Sequence, residues 1–193
     1  MLNKKLNKLL SEKKSAILKR WFDSILETYP SETAKYYKKQ DKPFTNPVGS
    51  TILNGLENLF NEILQGKDFK TPPSSLEDII RIRAIQDFAP SQALVFIPLL
   101  KKMIVEELKN EVNGPGMFEV FLELESLIDH LAFQSFDIYI RCREKIYELK
   151  AKELQSLTSR HIQRANQIYD KYRQEHNFKF GNIDTVRDKE TIK

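Results

Sequence analysis

Apolar residues recur along most of this chain at three- and four-residue intervals, the period of a helix buried on one side. The first run spans about Leu2 to Thr28. Leu6, Leu9, Leu10, Ile17, Trp21, Ile25 and Leu26 approximate one stripe, and the lysines lie mostly off it. Tyr29-Pro30-Ser31 ends this run, because the residue before a proline disfavours helical backbone. Residues 31 to 45 read as a loop with a short helical turn around Tyr36-Tyr37. Asn46-Pro47 starts a second helix, with Asn46 as N-cap and Pro47 at the first helical position. Its face is Val48, Ile52, Leu53, Leu56, Leu59, Phe60, Ile63 and Leu64, and Gly66 stops it. Thr71-Pro72-Pro73 is a rigid connector.

Ser74-Ser75-Leu76-Glu77 has capping-box spacing, so a third helix runs from there to about Phe88. A fourth starts at Pro90 or Ser91 and reaches about Glu111, with Pro98 set to kink or break it. Ala93, Leu94, Phe96, Ile97, Leu99 and Leu100 make it apolar nearly all round, which predicts the central buried helix. Asn113-Gly114-Pro115-Gly116 is the clearest turn. No Gly or Pro then occurs until Gly181. A helix from about Met117 to about Glu175 would be roughly 85–90 Å long at about 1.5 Å per residue. A globular domain of ~150 residues is only ~30–40 Å across. The last third of this helix is therefore expected to project, bend back, or break near Ser156, Thr158 and Ser159. The sum is an all-α protein: a bundle of about five helices over residues 1–150, an extended C-terminal helix over 151–176, and a polar, poorly ordered tail over 177–193.

Composition agrees. Of 193 residues only six are glycine, and β-branched runs are rare, which favours helices over sheets. No charge-free apolar run approaches the length of a membrane span. Lysines at short intervals from Lys4 to Lys19 interrupt any signal-peptide core, so a cytoplasmic location is expected. The single cysteine, Cys142, excludes an internal disulfide and a multi-cysteine metal site. The formal net charge of +4 does not call for nucleic acid.

Four segments, in this order and spacing, resemble one known family. They are Ile17-Leu18-Lys19-Arg20-Trp21-Phe22, Phe44-Thr45-Asn46-Pro47-Val48-Gly49, residues 82–93 (Ile82-Arg83-Ala84-Ile85-Gln86-Asp87-Phe88-Ala89-Pro90-Ser91-Gln92-Ala93), and residues 136–148 around Arg141-Cys142-Arg143-Glu144-Lys145. Together they are similar to the N-terminal sensor domain of the RsbRD type, the RsbT co-antagonist proteins of bacterial stress signalling, over about residues 5 to 150. The resemblance implies a regulatory helical input, in a class that more broadly resembles globins. Such a domain is often followed by a long helix and an output domain, such as STAS or a histidine kinase. It also implies kinship with stand-alone forms in sulfate-reducing bacteria, found near genes of membrane-bound sulfite-reduction electron-transfer complexes. Here only a short polar tail stands where STAS would be, so direct partner-switching antagonism is not expected.

Candidate chemistry is sparse, and no enzyme activity is expected. Arg83 and Asp87 are four apart and can pair on one helical face. With Arg81, Ser91 and Trp21 they are the candidate ligand or partner contacts. Arg81 and Arg83 could hold an anion near the start of the next helix; alternatively Asp87 pairs Arg83, caps that helix, and the group only locks a corner. His130, beside Asp129, could be a haem ligand or phospho-acceptor, but successive helical residues diverge and a lone histidine identifies neither, so no cofactor is expected. Cys142 between two arginines is either a low-pKa thiol or a small buried hydrophobe. Glu119, Glu123 and Glu125 lack the Glu-x-x-His partner of a di-iron helix, and no metal site is expected. The lysine-rich first helix could touch anionic lipid.

Tyr147, Leu154, His161 and Ile168 recur at sevens, interleaved with Ala151, Thr158, Ala165 and Tyr172. This weak seam suits docking against a partner or a twin. The expected function is a regulatory or sensor module working through an unknown small ligand or a protein partner. The alternative is an accessory subunit docking on the cytoplasmic face of a membrane electron-transfer complex.

Overall fold

The computed structural model describes residues 4–39, 44–67, 69–109, 111 and 117–181, and all regular structure among them is helical. The helices are α1 (Lys4–Leu26), α2 (Ser31–Lys38), α3 (Pro47–Leu64), α4 (Ser74–Ile85), α5 (Pro90–Leu94), α6 (Phe96–Leu108) and α7 (Met117–Gly181). The all-α class and the long C-terminal helix are as the periodicity predicts. The chain divides into two compact units, Met1–Glu144 and Lys145–Lys193, and α7 contributes to both.

In the first unit α1 packs against α2, α3 and α6, while α4 packs on α3. Leu6, Leu10, Ile17, Trp21 and Ile25 of α1 are fully buried, as are Ile52, Leu56, Leu59 and Ile63 of α3. The central place thus belongs to α1 and not to the proline-bearing fourth helix, whose Val105 faces solvent. In α7, Leu124, Ile128, Leu131 and Ile138 add the inner face at helical spacing.

Two differences from the predicted elements have simple causes. Residues 31–38 form a full helix, α2, where a loop with one turn is expected. Its first turn holds Glu32 and its last turn Lys35 and Lys38, each favourable for the helix dipole. The predicted fourth helix is two, α5 and α6, meeting at Val95. Pro98 lacks an N–H, and its ring crowds the carbonyl four residues back, that of Leu94. The interruption therefore falls at Leu94–Val95, ahead of the proline.

The helix ends are mixed. Asn46 caps α3 as expected, accepting from the Gly49 N–H at 2.9 Å, with Pro47 at the first position. Its amide nitrogen also donates to the carbonyls of Tyr37 at 2.7 Å and Lys39 at 3.0 Å, so one buried side chain joins the end of α2 to the start of α3. Gly66 closes α3 in the left-handed conformation (φ 64°). The capping box expected at Ser74 does not form: Pro73 occupies the N-cap of α4, without a side-chain cap. The turn expected at residues 113–116 lies outside the described residues. In the second unit α7 passes unbroken through Ser156, Thr158 and Ser159. The Thr158 hydroxyl returns to the Leu154 carbonyl at 2.9 Å, a bond the helix tolerates. Helix also continues through 177–181, where the polar tail is expected to begin.

Candidate functional site

Arg83 is the least ordinary residue of the fold: an arginine with 0% exposure. It sits in the last turn of α4, and its side chain runs inward to the junction of α5 and α6. Nε donates to the Ala93 carbonyl at 2.9 Å, and Nη2 donates to the Gln92 carbonyl at 2.7 Å and the Thr28 hydroxyl at 2.8 Å. These carbonyls lie where α5 ends, so the guanidinium serves as a C-terminal cap delivered from another helix. The guanidinium carbon is 4.4 Å from the Phe88 ring centroid and 5.3 Å from that of Tyr29. Nη1 is buried without a hydrogen-bond partner. Burial pushes the guanidinium below the usual arginine range, and the nearby Tyr29 phenol partly offsets this. Trp21 meets the same junction from α1, donating its indole N–H to the Phe96 carbonyl at 2.7 Å.

Asp87 does not pair with Arg83, and it does not cap the following helix. Its side chain is 79% exposed, and Oδ1 lies 2.5 Å from Nη1 of Arg143 on α7. Its backbone explains the departure. With φ of 62°, Asp87 takes the left-handed position that ends α4. The Asp87 N–H donates to the Ala84 carbonyl at 3.3 Å and the Phe88 N–H to the Arg83 carbonyl at 3.4 Å, the paired bonds of a Schellman ending. From α7, Arg143 Nη1 also donates to the Ala84 carbonyl at 3.2 Å, and the Tyr139 hydroxyl donates to the Phe88 carbonyl at 2.5 Å.

Three of the segments singled out in the sequence therefore meet here, through Trp21, Arg83 with Asp87, and Arg143. The fourth forms the Asn46 clamp. Residues 15–154 match the family described as the RsbT co-antagonist protein rsbRD N-terminal domain. The chain belongs to that family. It is also similar to an uncharacterized protein of Archaeoglobus fulgidus, 26% identical over 140 residues, which are 71% of this chain and 82% of that relative. No solved structure matches.

The remaining candidates of this RsbRD-type chain are scattered. Arg81 is exposed, 3.7 Å from Asp78, so the two arginines form no fork. Ser91 is exposed at the start of α5. His130 is exposed, with Nε2 3.0 Å from the Phe69 carbonyl and 3.1 Å from Gln134 Nε2. Burial pushes the Cys142 thiol up, with Glu77 adding to this; Arg81 and Arg141 offset it in part, so the direction opposes a low-pKa thiol. Glu119, Glu123 and Glu125 are exposed, and no group of His, Cys, Asp and Glu among the described residues could hold a metal. No described helix is long and apolar enough to cross a membrane.

Three cations of the basic first helix pair with carboxylates elsewhere in the unit. Lys13 lies 2.9 Å from Glu111, Lys14 3.3 Å from Glu57, and Arg20 reaches both Glu106 and Glu107. Sequence reasoning had no means of pairing these charges across helices. A cleft of about 660 Å³ lies beside them, floored by Leu18, Phe22 and Leu53 and rimmed by Lys14, Lys38 and Glu57.

In the second unit, every residue from Tyr147 to Glu175 is exposed. Tyr147, Leu154, His161, Ile168 and Tyr172 all lie exposed on this one helix, and the Tyr172 ring stacks on His176 at 3.8 Å.

Proposed function

We propose that this protein is a non-enzymatic regulatory module of the RsbRD N-terminal type, in which the helical unit receives a ligand or partner and α7 docks. Family membership supports the regulatory half. The docking half rests on one observation: α7 keeps an apolar seam, with Leu154 65% and Ile168 71% exposed, on a segment open on every side. Contiguous apolar surface of this kind marks interaction sites.

At the α4–α5 corner the candidate contacts divide by burial. Trp21 and Arg83 shape the corner from within. Arg81, Asp87 and Ser91 stand outside it, where a partner could reach them. For the accessory-subunit alternative, three of the first-helix cations, Lys13, Lys14 and Arg20, are already paired with Glu57, Glu106, Glu107 and Glu111.

Co-purification from native soluble and membrane fractions tests the reading, using the intact chain and its Arg81→Glu variant, which alters the exposed α4–α5 corner and leaves α7 untouched. A protein other than the chain itself, retained by the intact chain and lost with the variant, is the expected result. Recovery of no such protein from either fraction, together with no small-molecule thermal shift, would overturn it.

A further inference from the structure

The seam of α7 has flanks, and the flanks carry information about what covers it. In a heptad frame with Ala151, Thr158, Ala165 and Tyr172 at a, the d positions are Tyr147, Leu154, His161 and Ile168. Exposed apolar side chains also occupy the adjoining positions: Leu157 at g, and Ile162 and Tyr169 at e. Leu149 alone of the large exposed apolar residues between 147 and 172 falls outside these four positions. The apolar face is therefore wider than its a and d residues suggest, which compensates for the small Ala151 and Ala165.

We propose that the second unit pairs with the same segment of a second copy of this chain, as a parallel, in-register, two-stranded coiled coil. The proposal rests on the docking role given to α7 above and names its occupant. Orientation follows from charge. The g positions are Lys150, Leu157, Arg164 and Lys171, and the e positions are Glu148, Gln155, Ile162 and Tyr169.

In a parallel pair each g residue faces the e residue five positions on in the other strand. Lys150 then meets Gln155, Leu157 meets Ile162, and Arg164 meets Tyr169. The contacts are a hydrogen-bonding pair, an apolar pair and a cation–π pair. No like charges meet among them.

In an antiparallel pair g faces g. Sliding the strands brings Lys150 against Lys171, Lys150 against Arg164, or Arg164 against itself. Each register that overlaps at three or more g positions opposes two cations, and like-charge juxtaposition selects against wrong pairings. The polar His161 and Thr158 layers weaken the core and reward matching of identical layers, a further preference for the in-register form.

The test uses the full chain. Sedimentation of the purified protein at tens of micromolar should give a dimer, and Leu154→Glu with Ile168→Glu should weaken it at least ~100-fold by burying unpaired charge. Unchanged Trp21 emission in that variant shows that the first unit remains folded. In a Cys142→Ser background, Ala151→Cys and Ala165→Cys should each cross-link to itself under mild oxidant, since facing a residues come within disulfide reach. A monomer overturns the proposal, and so does a dimer in which neither cysteine variant cross-links to itself. A monomer leaves the regulatory reading standing. A dimer engaged by no ligand and no other protein removes that reading and leaves the pairing intact.

Discussion

Phe88 lies against the guanidinium of Arg83, 4.4 Å from ring centroid to Cζ, at the two positions where a Schellman ending ordinarily places an apolar contact. The substitution of a cation–π contact for an apolar one lets a single side chain do two things. It closes α4 on itself, and it sends three hydrogen-bond donors on to the α5 terminus and Thr28.

Removal of that side chain should therefore be felt at both helices. Arg83→Ala leaves the Gln92 and Ala93 carbonyls without this donor and opens a cavity beside Tyr29. A loss of about 3–5 kcal/mol is expected, which at this chain length is a melting-temperature drop of roughly 6–20 °C. Arg83→Lys should recover less than half, because an ammonium cannot present the planar fork. Thermal unfolding followed by circular dichroism decides; an unchanged midpoint in Arg83→Ala would refute the capping role.

Asp87 makes a prediction of rank order. A left-handed conformation costs a non-glycine residue about 1–2 kcal/mol, less for aspartate. The pair with Arg143 is too exposed to be worth more than about 1 kcal/mol. Asp87→Gly should thus match or exceed the parent in urea midpoint, and Asp87→Ala should fall below both. Equal midpoints for glycine and alanine would contradict the backbone account.

Gly49 and Asn46 should behave as one unit. A Cβ at position 49 would lie 2.6 Å from Asn46 Oδ1 and from the Tyr37 carbonyl, displacing the side chain that ties α2 to α3. Asn46→Ala should cost about 1–3 kcal/mol, since it removes an N-cap and two carbonyl contacts. Gly49→Ala should cost at least as much, and the double variant much less than the sum. Additivity in a denaturation cycle would show that the two act separately.

Tyr29 predicts the alkaline limb. Burial raises its phenol above the usual range, and the Arg83 charge offsets this only in part. A raised folded pKa contributes stability that is complete below the unfolded value of about 10 and is lost as pH rises through the folded one. The parent should lose urea stability above about pH 10 more steeply than Tyr29→Phe. The variant should also be weaker by roughly 1 kcal/mol at neutral pH, having lost its bond to Gln86. A parent-to-variant difference constant with pH would argue against a buried, neutral phenol.

Cys142 should be a slow thiol. Because burial raises its pKa, iodoacetamide should modify it more slowly than a free cysteine near neutral pH, with a rate midpoint above the ordinary thiol range. A midpoint below that range would restore the redox reading.

Periodicity located the helices because burial on one side leaves a 3.6-residue trace whatever the partner. It could not rank them by centrality: Val105 reads as core in a window of apolar neighbours, yet it is half exposed. Nor could it foresee that Asp87 would turn away from Arg83. The i, i+4 rule presumes helical backbone through both residues, and α4 ends at Ile85. The Asn46 cap was legible because its bond spans three residues. The Arg83 and Trp21 contacts were not, because they join positions 10 and 75 residues apart.

The indole of Trp21 has one further use. It is the sole tryptophan of the chain, it is shielded from water, and it is tethered to the carbonyl of Phe96 where α5 gives way to α6. Emission from this one fluorophore is thus an intrinsic gauge of the junction. Any signal that reaches the α5–α6 corner can be followed as a colour change without attaching a dye.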